Sequence, residues 1–244
     1  MKTRLRSPFS KQKGLSPVEL MVTMTISVVI LTGVIQMLLS STKSYNTQDS
    51  LKQLRHTSQT SLALLEKHIR MAGAPNMELT TINGSKMYAP AQNAINGNNG
   101  SGKQPDTITI SYYSNKDACG GNQTGDARYT FSIKNKGNIN YLTCNNAISD
   151  FFILKHVENM QIRYGIDGDL TRPARIATYY SNSPANNSRI VSIQVALLIK
   201  SQQRISEKCE ASHTLLDNSI STNDCFIYKT IGTTIKLRNR PVAS

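Results

Sequence analysis

The sequence predicts an α+β fold, in which a long N-terminal transmembrane and amphipathic helix packs on a C-terminal antiparallel β-sheet domain. Two observations support this class. A long apolar run and a helical apolar stripe occupy residues 15–72, and all recognisable strand patterns come after them. Helix and strands are therefore segregated along the chain, as in α+β proteins, and do not alternate as in βαβ units.

The first half of the helix is long and apolar enough to cross a membrane. Residues 20–42 carry no charge over 23 positions, and about 20 apolar residues span a bilayer. Lysine and arginine crowd the N-terminal flank, whereas Lys43 and then Asp49 follow the run. By the positive-inside bias, we expect a single-pass membrane protein with a cytoplasmic N-terminus and a C-terminal domain outside the cytoplasm.

The second half of the helix is amphipathic. One face carries residues at steps of three and four, namely Leu51, Leu54, Ser58, Leu62, Leu65 and Ile69. Glu66 and Arg70 form an i,i+4 pair, and Gly73 before Pro75 is a helix-stop signal. A helix over residues 15–72 would be about 87 Å long at 1.5 Å per residue. We divide it into a transmembrane half, 15–42, and an amphipathic half, 43–73, ahead of a β-rich domain, 74–244.

Six strand patterns follow the helix. They are Thr107–Tyr113, Arg128–Lys134, Asn138–Thr143, Glu158–Tyr164, Ser188–Ile199 and Phe226–Leu237. The fifth alternates apolar and polar residues from Ile190 to Val195, which predicts an antiparallel strand with one buried face. Residues 76–104 are polar and rich in glycine, which predicts an irregular or mobile loop.

The residues before the apolar run form a short basic leader. An ordinary secretory signal is cleaved after its apolar core, beyond a small-residue site, but there is no alanine between Leu15 and Leu62. The pattern instead predicts cleavage between Gly14 and Leu15, which removes residues 1–14 and leaves the apolar segment on the mature protein. Glu19, the one carboxylate near the start of that segment, then becomes the fifth residue.

The chain is basic. Its formal charge is +13, of which residues 1–14 supply five positive charges, so the remainder carries +8. Such an excess is compatible with DNA or another anionic partner, but a solvated basic face explains it equally. We therefore keep DNA as a possible partner without a motif that supports it.

Four cysteines lie beyond the apolar run, and the predicted location outside the cytoplasm favours disulfides. Three pairings are possible. We favour Cys119 with Cys144 and Cys209 with Cys225, because each pair encloses a polar, turn-rich loop between predicted strands. In the chain-entropy model, closing a loop of about 15 residues stabilises the fold by about 3 kcal/mol.

No motif predicts catalysis, a cofactor or a metal. The segment Gly97–Lys103 resembles a P-loop, but Gln104 replaces the magnesium-binding hydroxyl and no helix pattern opens there. The pair Asp167 and Asp169 lacks the further carboxylates of a calcium loop. The four histidines are scattered, and the nucleophile-elbow and zinc-protease motifs are absent from the sequence.

The leader and several later blocks resemble known proteins. Gly14, Leu15 and Glu19 stand where the class III leader of type IV prepilins has its cleavage glycine, first mature residue and fifth-position glutamate. Leu15 departs from the more usual phenylalanine. The chain also resembles the PilW group of minor type IV pilins in four blocks, Leu62–Gly73, Val157–Asp167, Val191–Lys200 and Thr233–Arg240. Residues 76–156 and 200–225 carry no resemblance of their own.

The resemblance implies a function. A prepilin peptidase would cut after Gly14, the new amine of Leu15 would be methylated, and Glu19 would meet the Leu15 amine of a neighbouring subunit. The protein would be a non-enzymatic minor pilin that primes pilus assembly at or near the tip, with other minor pilins and the major pilin as partners. Alternatives are a minor pseudopilin of a type II secretion system, or a tip adhesin or DNA-uptake pilin.

Overall fold

The computed structural model describes Gly14 and residues 16–75, 80–82, 85–87, 94–101, 103–115, 119–120, 125–169, 171, 176–184, 189–204 and 209–239. The chain divides into two compact units, Met1–Gln48 and Asp49–Ser244. The second half of the N-terminal helix therefore belongs to the same unit as the strands.

Helix α1 runs from Pro17 to Met71. The helix ends where the sequence predicts, because Gly73 adopts φ +75°, a conformation that is easily reached only without a side chain. A Cβ at Gly73 would also lie 2.1 Å from the carbonyl oxygen of Asn239. The Gly73 N–H donates to the Ser111 carbonyl at 2.9 Å, which ties the end of the helix to the sheet that follows.

The first sheets are antiparallel. Strands β1 (Thr80–Ile82) and β2 (Ser85–Met87) pair with each other. A five-stranded sheet then follows in sequence order, formed by β3 (Ile95–Asn98), β4 (Thr107–Ser114), β5 (Gly125–Lys136), β6 (Ile139–Asn145) and β7 (Asp150–Lys155). Alternate residues of β4 are buried, as an amphipathic strand requires.

The second large sheet has four antiparallel strands in the order β13-β10-β8-β9. They are β8 (Val157–Ile166), β9 (Tyr179–Ser181), β10 (Ile190–Arg204) and, at the far edge, β13 (Phe226–Lys236). Between them in sequence, β11 (Ala211–Leu215) and β12 (Asn218–Thr222) form a hairpin of their own. The predicted α+β class, with a long N-terminal helix and antiparallel sheets, is confirmed.

Within the Asp49–Ser244 unit, α1 buries one stripe in the common core. Its buried residues are Ser50, Leu54, Ser58, Ser61, Leu65, His68 and Ile69. The predicted stripe is correct at Leu54, Ser58, Leu65 and Ile69, but Leu51 is 40% exposed. Serine takes three of the seven buried positions. The Ser58 and Ser61 hydroxyls donate to carbonyls one turn earlier, which satisfies them.

Two predictions, one of a loop and one of a strand, are wrong. The loop predicted over residues 76–104 contains β1, β2 and β3. Strand β10 is buried on both faces, whereas its alternation predicted one buried face. One face joins the main core through Ile193 and its neighbours, and the other packs Ala196 and Leu198 against Leu215 of the β11–β12 hairpin. No strand pattern predicted this hairpin, because its strands are short and polar.

Candidate functional site

The start of α1 carries the predicted cleavage site. Gly14 is exposed and precedes the helix, and Leu15 lies outside the described residues. The first hydrogen bond of the helix runs from the Leu20 N–H to the Ser16 carbonyl at 3.1 Å. Pro17 suits the first helical position, where its missing N–H would have no partner and its fixed φ is already helical.

Glu19 is exposed in the first turn of α1. A carboxylate there lies at the positive end of the helix dipole, which attracts negative charge. Among the described residues, no hydrogen bond or ion pair involves the Glu19 side chain.

The first part of α1 presents an uncovered apolar surface. It contains the 18-residue window with a mean hydropathy of 2.2, none of which is buried, so this one helix is long and apolar enough to cross a membrane. Four of its large side chains are more than two-thirds exposed, namely Val18, Met21, Val29 and Met37. An apolar surface of this extent requires lipid or other apolar helices around it.

Five hydroxyl groups of the same segment are satisfied inside the helix. Each of the five donates to a carbonyl three or four residues earlier at 2.7–2.9 Å, in Thr23, Thr25, Ser27, Thr32 and Thr42. In a bilayer, an unpaired polar group costs several kcal/mol because no water can replace the missing partner. These five side chains can therefore enter lipid or a helix bundle without a hydrogen-bond partner outside their own helix.

The structure joins the cysteines in the pairs that the sequence favoured. Cys119 is bonded to Cys144 with the Cα atoms 5.6 Å apart, and Cys209 is bonded to Cys225 with the Cα atoms 4.0 Å apart. The first disulfide fixes the segment between β4 and β5 to β6. The second closes the ends of the β11–β12 hairpin, which covers the outer face of β10.

His68 is a structural residue that the sequence did not single out. It is 4% exposed, and its Nδ1 atom lies 2.7 Å from the Tyr112 hydroxyl across the helix–sheet boundary. Its ring packs on Phe131 with centroids 5.2 Å apart. Burial, followed by the nearby charge of Lys67, lowers the pKa of His68 from 6.5 to about 4. The imidazole is therefore neutral at physiological pH. The one sequence signal for the burial of His68 was its position in the apolar stripe of α1.

The glycine-rich segment that resembles a P-loop is organised around a carboxylate. Asp106 is buried and accepts the Gly100 N–H at 2.8 Å and the Ile162 N–H at 2.7 Å. Burial raises the pKa of Asp106, and the two backbone hydrogen bonds oppose that rise. The Gly100 N–H, which a phosphate would need, is thus occupied, and a strand follows the segment where a P-loop has a helix.

The Asp167–Asp169 turn is also stabilised internally. The Asp167 carboxylate accepts the Asp169 N–H at 3.1 Å and the Ile176 N–H at 3.3 Å, and the Arg189 guanidinium lies 3.9 Å away. Among the described residues, no group of three or more His, Cys, Asp or Glu side chains could hold a metal ion. These contacts make the turn a structural element between β8 and β9.

The described fold joins an uncovered apolar N-terminal helix to antiparallel sheets, and comparison with protein families shows what part of the chain is similar to. Residues 130–239 match the family model of type IV pilus-assembly protein W, PilW, so the predicted resemblance to this group is confirmed over that segment. The match also spans residues 130–156 and 200–225, where the sequence showed no resemblance of its own.

Comparisons with solved structures and with curated proteins give less information than the family match. Among solved structures, the chain is similar to a type IV-like pilin, TTHA1219, from Thermus thermophilus. The two share 13% sequence identity with a TM-score of 0.41, and the alignment covers 79% of this chain and 96% of that one. No curated protein matches the chain.

Proposed function

We propose that this protein is a minor pilin, which primes assembly of a type IV pilus and is incorporated at or near its tip. The observation that carries the proposal is the uncovered apolar surface of α1, with an exposed carboxylate, Glu19, in its first turn. Such a surface suits lipid before assembly and neighbouring helices afterwards. The similarity of residues 130–239 to a pilus-assembly family supports the same function.

Processing comes first in this proposal. A prepilin peptidase hydrolyses the Gly14–Leu15 peptide bond on the cytoplasmic side, and the freed amine of Leu15 is methylated. The apolar segment remains attached and holds the protein in the inner membrane, with the β-rich domain in the periplasm. The cut falls two residues before α1 begins at Pro17, so hydrolysis would leave the helix intact.

Assembly then depends on Glu19. A carboxylate costs about 2.5–3.5 kcal/mol at the centre of a membrane helix and less near the interface. In a bundle of pilin helices, the amine of Leu15 on a neighbouring subunit is a cation of the correct charge at the correct depth. Pairing offsets the desolvation of both groups, and it fixes the axial register because only one stagger brings them together.

The β-rich domain has a structural function in this account, without catalysis. Its core continues from the α1 stripe into both large sheets, and two disulfides fix its loops. This construction suits a domain that must stay folded outside the cell. Other minor pilins and the major pilin are the partners that we propose.

Deletion of the gene tests the proposal. We expect cells without the protein to carry few or no surface pili, and re-expression of the wild-type chain to restore them. A minor pseudopilin would instead be required for export of type II secreted enzymes, with pili unaffected. Normal piliation after deletion would contradict a priming function. A tip adhesin or DNA-uptake pilin stays a prediction drawn from the basic charge.

A further inference from the structure

Strand β13 is the longest open edge of the two large sheets. It has 11 residues and pairs with β10 on one side, and among the described residues no strand pairs with its other side. The other edge strands of these sheets, β3, β7 and β9, have only three to six residues. An edge strand presents unpaired N–H and C=O groups, to which an extended chain can add as a further strand.

The pairing with β10 fixes which residues of β13 direct their backbone groups outward. The N–H of Leu237, one residue beyond β13, donates to the Val191 carbonyl at 3.0 Å, and the same register continues back to Tyr228 without a shift. In an antiparallel pair, residues that bond to the neighbouring strand alternate with residues that do not. Because Leu237 bonds inward, the even-numbered residues from Tyr228 to Lys236 direct their N–H and C=O groups away from β10.

Solvent reaches this outward backbone. Gly232 is exposed, and because glycine has no side chain, its exposure is that of the backbone itself. The outward residues on either side of it, Thr230, Thr234 and Lys236, are exposed as well. The stretch Thr230–Lys236 is therefore accessible to another chain.

The same stretch lacks the features that protect natural sheet edges. Proteins blunt an edge with charged residues, proline, a bulge or a covering loop. Residues 230–235 read Thr-Ile-Gly-Thr-Thr-Ile, with neither charge nor proline, and their register with β10 has no bulge. Threonine and isoleucine also favour the extended backbone of a strand. An edge of this kind is suited to pairing with a strand of another chain.

Two lysines flank the uncharged stretch and indicate the chemistry of its partner. Lys229 and Lys236 form no ion pair among the described residues, and β13 contains no carboxylate. An odd number of positions separates the two lysines, so their side chains lie on opposite faces of the sheet. A strand with an uncharged centre and a carboxylate near each end complements this edge. A second copy of β13 offers neither lysine a carboxylate.

We propose that an extended segment of a different pilin subunit, uncharged at its centre and acidic at its ends, pairs with Thr230–Lys236 as a further strand beside β13. The inference rests on the proposed function and identifies a surface through which the subunit contacts a neighbour outside the helix bundle. Backbone hydrogen bonds to the outward groups of β13 supply affinity, and Lys229 and Lys236 select the partner by charge.

Photo-crosslinking in piliated cells tests the inference with the full-length protein. Benzoylphenylalanine replaces Thr230, which is exposed on the open edge, or Arg128, which is exposed on β5, as the control position. We expect irradiation to give an adduct with another pilin subunit, identified by mass spectrometry, from position 230 and none from position 128. Equal yields from the two positions, or an adduct only with a second copy or a non-pilin protein, overturn the inference.

Proline at position 234 distinguishes backbone pairing from contact between side chains. Proline has no N–H to donate, but at this outward position it removes no hydrogen bond to β10. Thr234→Pro should therefore lower the yield of the position-230 adduct by roughly tenfold, because the added strand loses a hydrogen bond and meets the proline ring. Thr234→Ala keeps the N–H and should leave the yield unchanged. A wild-type yield from Thr234→Pro, or an equal loss in both variants, contradicts the inference.

Charge reversal gives a readout that does not require the protein to tolerate proline. Lys229→Glu with Lys236→Glu should lower the yield of the same adduct by roughly fivefold. The matched control, Arg128→Glu with Lys155→Glu, changes the net charge equally at exposed sites away from β13 and should leave the yield unchanged. Equal yields in the two double variants contradict the inference. If no adduct forms from position 230 while the protein still co-purifies with pili, the edge inference fails and the proposed function stands. Absence from pili altogether contradicts the function.

Discussion

Lowering the pH should weaken the packing of α1 on the five-stranded sheet, because His68 is buried between them. The folded protein holds the pKa of this imidazole at about 4, against 6.5 for an exposed histidine. Between these values the unfolded chain binds the proton and the folded chain does not, so stability is complete above about pH 6.5 and falls as the pH drops. The whole difference corresponds to about 3 kcal/mol, and the loss levels off below pH 4.

The contribution of His68 can be isolated with a variant that does not titrate. His68→Gln keeps a polar side chain near the Tyr112 hydroxyl but does not titrate. Between pH 7 and pH 4, the unfolding free energy of this variant should therefore fall by about 3 kcal/mol less than that of the wild type. Urea unfolding of the full-length protein in detergent, followed by tyrosine near-ultraviolet circular dichroism, measures both chains. Because burial also lowers the pKa of His156 and His213, only the difference between the two curves is informative.

Tyr112→Phe is the matched control for this experiment. It removes the 2.7 Å hydrogen bond but leaves His68 buried, so it should cost about 1 kcal/mol at neutral pH and retain most of the wild-type pH dependence. Parallel curves for the wild type and His68→Gln from pH 7 to pH 4 would refute the reasoning. They would mean that the imidazole is hydrated in the folded protein.

Three further predictions concern the core, the disulfides and processing. Leu65→Ala should destabilise the protein by about 2–5 kcal/mol in urea unfolding, since this side chain is fully buried, whereas Leu51→Ala at a 40% exposed position should cost far less; equal effects would mean that another face of α1 packs on the sheets. Digestion without reductant should give two linked peptide pairs, joined as in the structure, and free thiols or crossed pairs would contradict the strand placement around both loops. Mass spectrometry of the membrane-extracted protein should find a methylated Leu15 at the N-terminus, and residues 1–14 retained in assembled pili would contradict the predicted cleavage.

Local patterns predicted the helix and the central strands well. The apolar run, the Glu66–Arg70 pair and the Gly73 stop follow from spacing along one helix, and the structure contains all three. Strand β4 differs from its prediction by one residue because its alternation is strict. These features depend on neighbours within a few positions, which a single sequence displays directly.

The features that sequence reasoning missed depend on tertiary contacts. Strand β7 was missed because its apolar residues are consecutive, so no alternation is visible. The hydrogen bond between His68 and Tyr112 joins residues 44 positions apart, and neither residue belongs to a motif. The burial of β10 on both faces follows from a hairpin that folds back over it. At the proposed assembly site, Gly14 and Glu19 are recognisable from their order alone, but the exposure of Glu19 becomes visible only in three dimensions.

Incorporation of Glu19→Ala into pili tests the central claim most directly. The substitution should leave membrane insertion and leader removal intact, because neither depends on the carboxylate. Immunoblots of sheared pili and of membranes, with Glu19→Asp as the conservative control, measure the two pools separately. We expect Glu19→Ala to be processed and present in membranes but absent from pili, and Glu19→Asp to be partly incorporated. Wild-type amounts of Glu19→Ala in pili would contradict the account, since the carboxylate would then be an interfacial residue that assembly does not require.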